Sequence, residues 1–336
     1  MQPFIPVISA NGKRLMPTTN RKADRLIASG RALRRFSRGL FYIQLTDRAD
    51  GYTQPIAVGI DSGSKKEAFT VQSTAHTFLN VQADAVTWVK EHIKTRRQMR
   101  RVRRYRKTPC RACRPNRLRG RICLPPSTRA RWDWKMRLLR WLARHYPITD
   151  VVIEGIAATT RKGKRRWNES FSPLQVGKLW IFGQVEQIAE LTVVPSRFTS
   201  GLRDQAGLAK SRAKLSDRWD AHCVDSFVLA SYRVGGPSRP GSTAILYITP
   251  LQFHRRQLHR LQPEKGGKRK PYGGTISLGL KRGSWVRHPR YGIVYVGGTR
   301  AEGSLSLHEL QTGKRLTTHA KVGDCQFLCT ASWRVR

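Results

Sequence analysis

The chain has 336 residues, 39% of them hydrophobic, and sets 64 Lys and Arg against 21 Asp and Glu, for a formal net charge of +43. That apolar share builds a real core, which excludes a disordered tail. So large an excess of positive charge repels itself unless a polyanion neutralises it, so nucleic acid is the expected partner, and no apolar run or basic amphipathic stripe supports a membrane instead.

The opening "MQPFIPVISANGKRLMP" has no charged segment before an apolar core and no small-residue cleavage site, so no secretory signal is read and the expected location is the cytoplasm, at the nucleoid. Residues 4–9 read as a short strand, "NGKR" as a turn, and "PTTNRKADRLIASGRA" as a helix capped by Thr18 or Thr19 and stopped at Gly30. A strand follows at 40–46. Ten basic and three acidic side chains in the first 55 residues suggest a small α+β unit laid against a phosphate backbone.

Three strands are then expected in succession: "IAVGIDSGS", "EAFTVQST" and "HTFLNVQA". The first ends in Asp61, followed by Ser62 and Gly63, where a glycine permits a sharp turn and close approach of a phosphate. By itself this tripeptide is as well read as an ordinary turn. Residues 84–107 begin as an amphipathic helix and become a basic one. Between Thr95 and Arg121 there are thirteen Lys or Arg and no acid, and like charges four residues apart on a helix repel unless a polyanion lies alongside. Arg96, Arg97, Arg100, Arg101, Arg103, Arg104, Arg106, Arg111 and Arg114 are the candidate contacts, since the guanidinium fork holds phosphates and stacks on bases. In the loop that follows, Cys110 and Cys113 form a C-x-x-C with Cys123 beyond it. No fourth ligand follows at finger spacing, so the thiols read as free, with structural zinc as the alternative.

"STRARWDWKMRLLRWLARHY" reads as a helix capped by Ser127 or Thr128, with Trp134, Leu138, Trp141 and Leu142 on its apolar side. It leads to the apolar strand "ITDVVIEGIA", which carries Glu154. Further on, "DAHCVDSFVLAS" reads as a helix that places His222 and Asp225 on one face at its entry to the core. Burial makes charge costly there, so two strand-end carboxylates together with His222 and Asp225 form a candidate site. From 241 onward a basic, turn-rich connector is expected, then short strands of period two with Gly-rich turns, as in a small β-barrel.

The segments "GIDSGS", "VVIEGI" and "HCVDSFVLA" resemble the three split motifs of the RuvC nuclease, a member of the RNase H-like fold. The resemblance implies an α/β core with the first Asp on the central first strand, the Glu ending the fourth strand and the last Asp on a helix beside them. It also implies that Asp61, Glu154 and Asp225 bind two Mg²⁺ ions about 4 Å apart, with His222 activating the attacking water or relaying its proton. An arginine-rich bridge helix inserted into a split RuvC domain is similar to the type II CRISPR effector and to its transposon-encoded relatives, the IscB and IsrB proteins. "VISANGKRLMPTTNRKADRLIASGRALRRFSRGLFYIQL" is similar to their opening PLMP domain, with Arg14 in place of the first proline. The interval between Glu154 and His222 holds no His-Asn-His nuclease pattern and fits one helix, one strand and a loop, as in IsrB proteins.

The organisation implied is a PLMP-like unit at 1–54, RuvC parts at 55–91 and 128–240, a bridge helix and loop at 92–127, and a C-terminal body at 241–336 that contacts RNA and the target-adjacent motif. The partners implied are a structured noncoding guide RNA (ωRNA) and double-stranded target DNA with a flanking motif, bound by a monomer in a ribonucleoprotein. The product implied is a nick in the displaced strand. Two other classes share part of the pattern: a structure-specific nuclease or strand transferase without a guide, and a nuclease-inactive RNA-guided binder. Strand transferases place the Glu last, whereas the order here is Asp, Glu, Asp.

Overall fold

The computed structural model describes residues 4–105, 124–155, 173–252, 261–262, 267–268, 276–300 and 302–336. The N-terminal unit is a four-stranded sheet, β1 (Phe4–Ile8), β2 (Arg14–Thr19), β3 (Ala32–Ser37) and β4 (Leu40–Leu45), in the order β2-β1-β4-β3, with helix α1 (Asn20–Ala28) against it. Thr19 is the N-cap, its hydroxyl accepting from the Lys22 amide at 3.4 Å, and Gly30 follows the helix with φ 71°. The helix therefore starts where the Thr19 cap predicts, and ahead of it "RLMPTT" pairs with β1 as a strand that the sequence pattern did not suggest. Strand β3, with Leu33, Arg34, Arg35 and Phe36 all exposed, carries no apolar alternation and is held by its register with β4.

The core is a mixed sheet. Its first three strands, β5 (Ala57–Asp61), β6 (Lys66–Gln72) and β7 (Thr77–Asp84), are almost wholly buried; the apolar run of β5 accounts for its burial, whereas β6 and β7 also bury polar side chains, Glu67, Gln72, Asn80 and Gln82 among them. Helices α2 (Val89–Tyr105) and α3 (Pro126–Leu142) come next, then β8 (Asp150–Gly155), α4 (Pro173–Val185), β9 (Glu190–Pro195), α5 (Ser196–Gln205), α6 (Trp219–Val234) and β10 (Ile245–Pro250). The N-cap of α3 is Pro125, with no side-chain bond, in place of the expected Ser127 or Thr128; Pro126 opens the first turn, where its missing N–H costs nothing. Helix α5 occupies part of what was expected to be loop.

Two short ladders, β11 (Leu261–Gln262) with β12 (Gly267–Lys268) and β13 (Ile276–Ser277) with β14 (Leu280–Lys281), precede a five-stranded antiparallel sheet. That sheet comprises β15 (Ser284–His288), β16 (Gly292–Thr299), β17 (Leu305–Glu309), β18 (Arg315–Ala320) and β19 (Gln326–Thr330), in the order β18-β17-β16-β15-β19. Among the described residues its outer strands do not pair with each other, so it is an open sheet where a barrel was expected. The last strand, β20 (Trp333–Val335), returns to the core, whose order is β20-β10-β7-β6-β5-β8-β9. Residues beyond 241 thus supply two strands of the central sheet as well as the separate small one. No helix among the described residues is long and apolar enough to cross a membrane.

The three bodies meet at one turn. Arg38 and Gly39 adopt φ 53° and 102° between β3 and β4, the left-handed geometry of a two-residue hairpin turn. The carbonyls of Ser37 and Arg38 accept from the indoles of Trp141 and Trp333 at 3.3 and 3.0 Å, and Trp333 packs edge-on against Trp134 and Trp141. A Cβ at Gly39 would stand 2.5 Å from Val335 Cγ1.

Beneath the sheet, on the side of α3, Lys135 Nζ donates to Glu67 Oε1 at 2.6 Å, and both side chains are buried. Burial pushes the Glu67 carboxyl up to about 7, against the pull of Lys135. Removing one member of a buried ion pair leaves the other uncompensated, so Lys135→Met is expected to cost about 3–5 kcal/mol in urea unfolding. The double variant Glu67→Leu with Lys135→Met should regain most of that loss, and a double variant as unstable as the single one would show that the pair is not the source. The folded state holds the Glu67 proton more tightly than the unfolded state, whose ordinary value is 4.5. This contribution to stability is therefore complete below that value and is lost as pH rises towards 7. Glu67→Gln should flatten that part of the stability–pH curve.

Candidate metal centre

Strands β5 and β8 run parallel and in register, with Ala57 opposite Asp150 and Ile60 opposite Ile153. One residue further on, Asp61 and Glu154 therefore stand side by side at the carboxyl ends of adjacent strands, facing the same side of the sheet. Helix α6 crosses that face. It can lie directly on β5 because Gly59 has no side chain: a Cβ there would stand 1.9 Å from the Ser226 carbonyl oxygen and 2.8 Å from the Ala230 nitrogen. The Thr70 and Ser226 hydroxyls, 2.8 Å apart, fix the helix against β6. Asp225 is thereby delivered to the two strand ends.

Carboxylate oxygens of Asp61, Glu154 and Asp225 all lie within 4.8 Å of one another, with Asp61 and Asp225 buried and Glu154 partly so. Burial, followed by the negative charges of Asp61 and Asp225, raises the Glu154 carboxyl above its ordinary range, with Lys210 and Arg203 pulling the other way. A cluster of carboxylates that repel one another in this way also offers hard oxygen ligands to a divalent cation, whose charge relieves the same repulsion. The donor set therefore fits Mg²⁺.

His222 lies one turn before Asp225, as its spacing predicts, but its ring is directed at Asp61: Nδ1 is 3.3 Å from Asp61 Oδ2, and Nε2 is 2.9 Å from the Lys214 carbonyl oxygen. Burial disfavours the imidazolium, yet the Asp61 and Lys214 acceptors outweigh it and raise the pKa. Both ring nitrogens act as donors in the charged form, so His222 in this arrangement orients and neutralises Asp61.

Two cations that the sequence did not single out complete the site. Arg203 Nη1 donates to one Asp225 oxygen and Lys210 Nζ to the other. They come from α5 and from the loop before α6, and "GLRDQAGLAK" has no local pattern separating these two from other surface bases. Their relation to Asp225 arises only when α5 packs beside α6.

The basic residues are placed differently. Arg96, Arg97, Arg100 and Arg101 lie on α2, where every described side chain from Lys94 to Tyr105 is exposed. The backbone of Arg103 and Arg104 continues this helix, and their side chains lie outside the described residues, as do Arg106, Arg111, Arg114, Cys110, Cys113 and Cys123 in full.

No curated protein matches the chain. The string Arg100-Arg101-Val102-Arg103-Arg104 is the one place where the sequence reads Arg-Arg-X-Arg-Arg. Residues 5–170, which hold that string together with Asp61 and Glu154, match the family described as RRXRR protein, a family associated with nucleases.

Proposed function

We propose that this chain is an Mg²⁺-dependent DNA endonuclease with an RNase H-like, RuvC-type core, guided by a structured noncoding RNA as IsrB proteins are, and that it nicks the displaced strand. The observation that carries this reading is the convergence of Asp61, Glu154 and Asp225 from three distant stretches of sequence. The strand positions agree with it: counted along the chain, Asp61 ends the first strand of the central sheet and Glu154 lies near the end of the fourth. The match over residues 5–170 agrees as well.

When bound by the three carboxylates, Mg²⁺ would neutralise the charge of a phosphodiester and polarise water for attack. His222 holds a proton at Nδ1 towards Asp61 and keeps that carboxylate aimed into the cluster. Arg203 and Lys210 bring two positive charges to the same point, where they restrain Asp225 and draw in a phosphate. The exposed arginines of α2 hold the guide RNA and its heteroduplex through their phosphates, the N-terminal unit contacts the RNA scaffold, and the small sheet near the C-terminus reads the flanking motif.

The test is to co-express the protein with its flanking noncoding DNA and sequence the RNA that copurifies. A discrete species with a variable end is expected, and the reconstituted complex should convert supercoiled plasmid to the open-circular form in Mg²⁺. A random mixture of cellular RNA would overturn the guided reading, and efficient linearisation would overturn the single-site nickase.

A further inference from the structure

Two exposed aromatic rings pair where α5 packs on α6, about 10 Å along α6 from the Arg203–Asp225 contact. Phe198 on α5 and Tyr232 on α6 meet edge to face, with centroids 4.8 Å apart at 79°, and they are 37% and 49% exposed. Their location follows from two independent constraints. Phe198 is the third residue after Pro195, which pairs with Gly155, the neighbour of Glu154. Helices α5 and α6 are antiparallel, so Phe198 meets Tyr232 where Arg203 meets Asp225 one to two turns away, about 10 Å along the α6 axis.

The same surface carries a glycine that packing does not require. Gly201 lies inside α5, one turn beyond Phe198 on the same face, and a Cβ there would meet nothing within 4 Å. Glycine inside a helix costs roughly 0.5–1 kcal/mol relative to alanine. Its use here keeps the space beside the Phe198 ring clear. Arg197, the residue before Phe198 in the chain, is exposed, and Arg203 and Lys210 bring positive charge to Asp225.

We infer that Phe198 and Tyr232 form a stacking platform for an unpaired base of single-stranded DNA, placed a few nucleotides from the bond presented to the carboxylates. An edge-to-face pair leaves ring surface open to a base, while the arginines beside it suit the phosphates on either side. Paired bases keep their faces inside the stack, so a duplex meets this surface only through its backbone. The inference rests on the nuclease reading for the identity of the strand, but its measurement needs no cleavage.

The probe is a short single-stranded oligodeoxynucleotide carrying one 2-aminopurine, titrated into the full chain in salt high enough to suppress purely electrostatic binding. Phe198→Ala with Tyr232→Ala should weaken binding by roughly 5- to 150-fold, as expected for one lost base–aromatic stack, and abolish the stacking quench of the fluorophore. Affinity for a duplex of the same length should not change. Gly201→Leu provides a separate test: in open space it should preserve or raise the melting temperature while weakening single-strand binding, which a purely structural role cannot do. Unchanged single-strand affinity in both variants, or equal losses for single strand and duplex, would overturn the platform. Cleavage that survives removal of the carboxylates would overturn the nuclease reading and leave this fluorescence result standing.

Discussion

Asp61→Asn, Glu154→Gln and Asp225→Asn are each expected to lower Mg²⁺-dependent DNA cleavage by roughly 10³-fold or more. A divalent ion supplies several kcal/mol of charge stabilisation in phosphoryl chemistry, and each 1.4 kcal/mol is a factor of ten in rate. Each substitution preserves shape and removes one negative charge from a cluster whose oxygens lie within 4.8 Å. A variant that nicks plasmid at the normal rate would remove its residue from the site. The three should differ in stability. Glu154 carries a raised carboxyl pKa because burial and the charges of Asp61 and Asp225 oppose its ionisation. That group contributes stability at low pH which is lost as pH rises through its folded value, so Glu154→Gln should melt no lower than the parent at neutral pH and show a flatter pH profile. Asp225→Asn should melt lower, because Arg203 and Lys210 both lose their carboxylate partner.

The central strands β5 and β8 were legible because they are buried apolar runs with a carboxylate at or beside the end, and a charge in that setting requires a reason. For the same cause Asp61, Glu154 and Asp225 could be named before the fold was known. The N-terminal strands β2 and β3 were not legible: "RLMPTT" contains a proline, and "ALRRFS" exposes four consecutive side chains, so only pairing with neighbours makes them strands. Arg203 and Lys210 lie 22 and 15 residues from Asp225 along the chain, and nothing local marks them. The union of β10 and β20 with the core joins segments with the whole small sheet between them, a pairing beyond the reach of hydrophobic period. One missed signal was present. A glycine in the interior of a buried strand marks close approach of another backbone, and Gly59 stands two residues before Asp61.

Gly59→Ala should therefore damage the site without altering any carboxylate. Its new methyl would stand 1.9 Å from the Ser226 carbonyl oxygen and 2.9 Å from the Ser226 carbonyl carbon. These are helix backbone atoms, which cannot turn aside as a flexible side chain can. Overpacking of a core costs about 1–3 kcal/mol, occasionally more, and this contact belongs at the upper end. Relief requires α6 to lift from β5, and Asp225 is the neighbour of Ser226, so the movement opens the carboxylate cluster. Titration with Mn²⁺ followed by electron paramagnetic resonance should show weaker binding than in the parent, alongside a lower melting temperature. Gly183→Ala on α4, where a Cβ would meet nothing within 4 Å, is the matched control and should leave metal binding intact while slightly raising stability. Parent-like melting and metal affinity in Gly59→Ala would mean that the helix seats Asp225 by its side-chain contacts alone. The expected coupled loss would instead show that a missing Cβ on the central strand sets the distance at which the third carboxylate joins the other two.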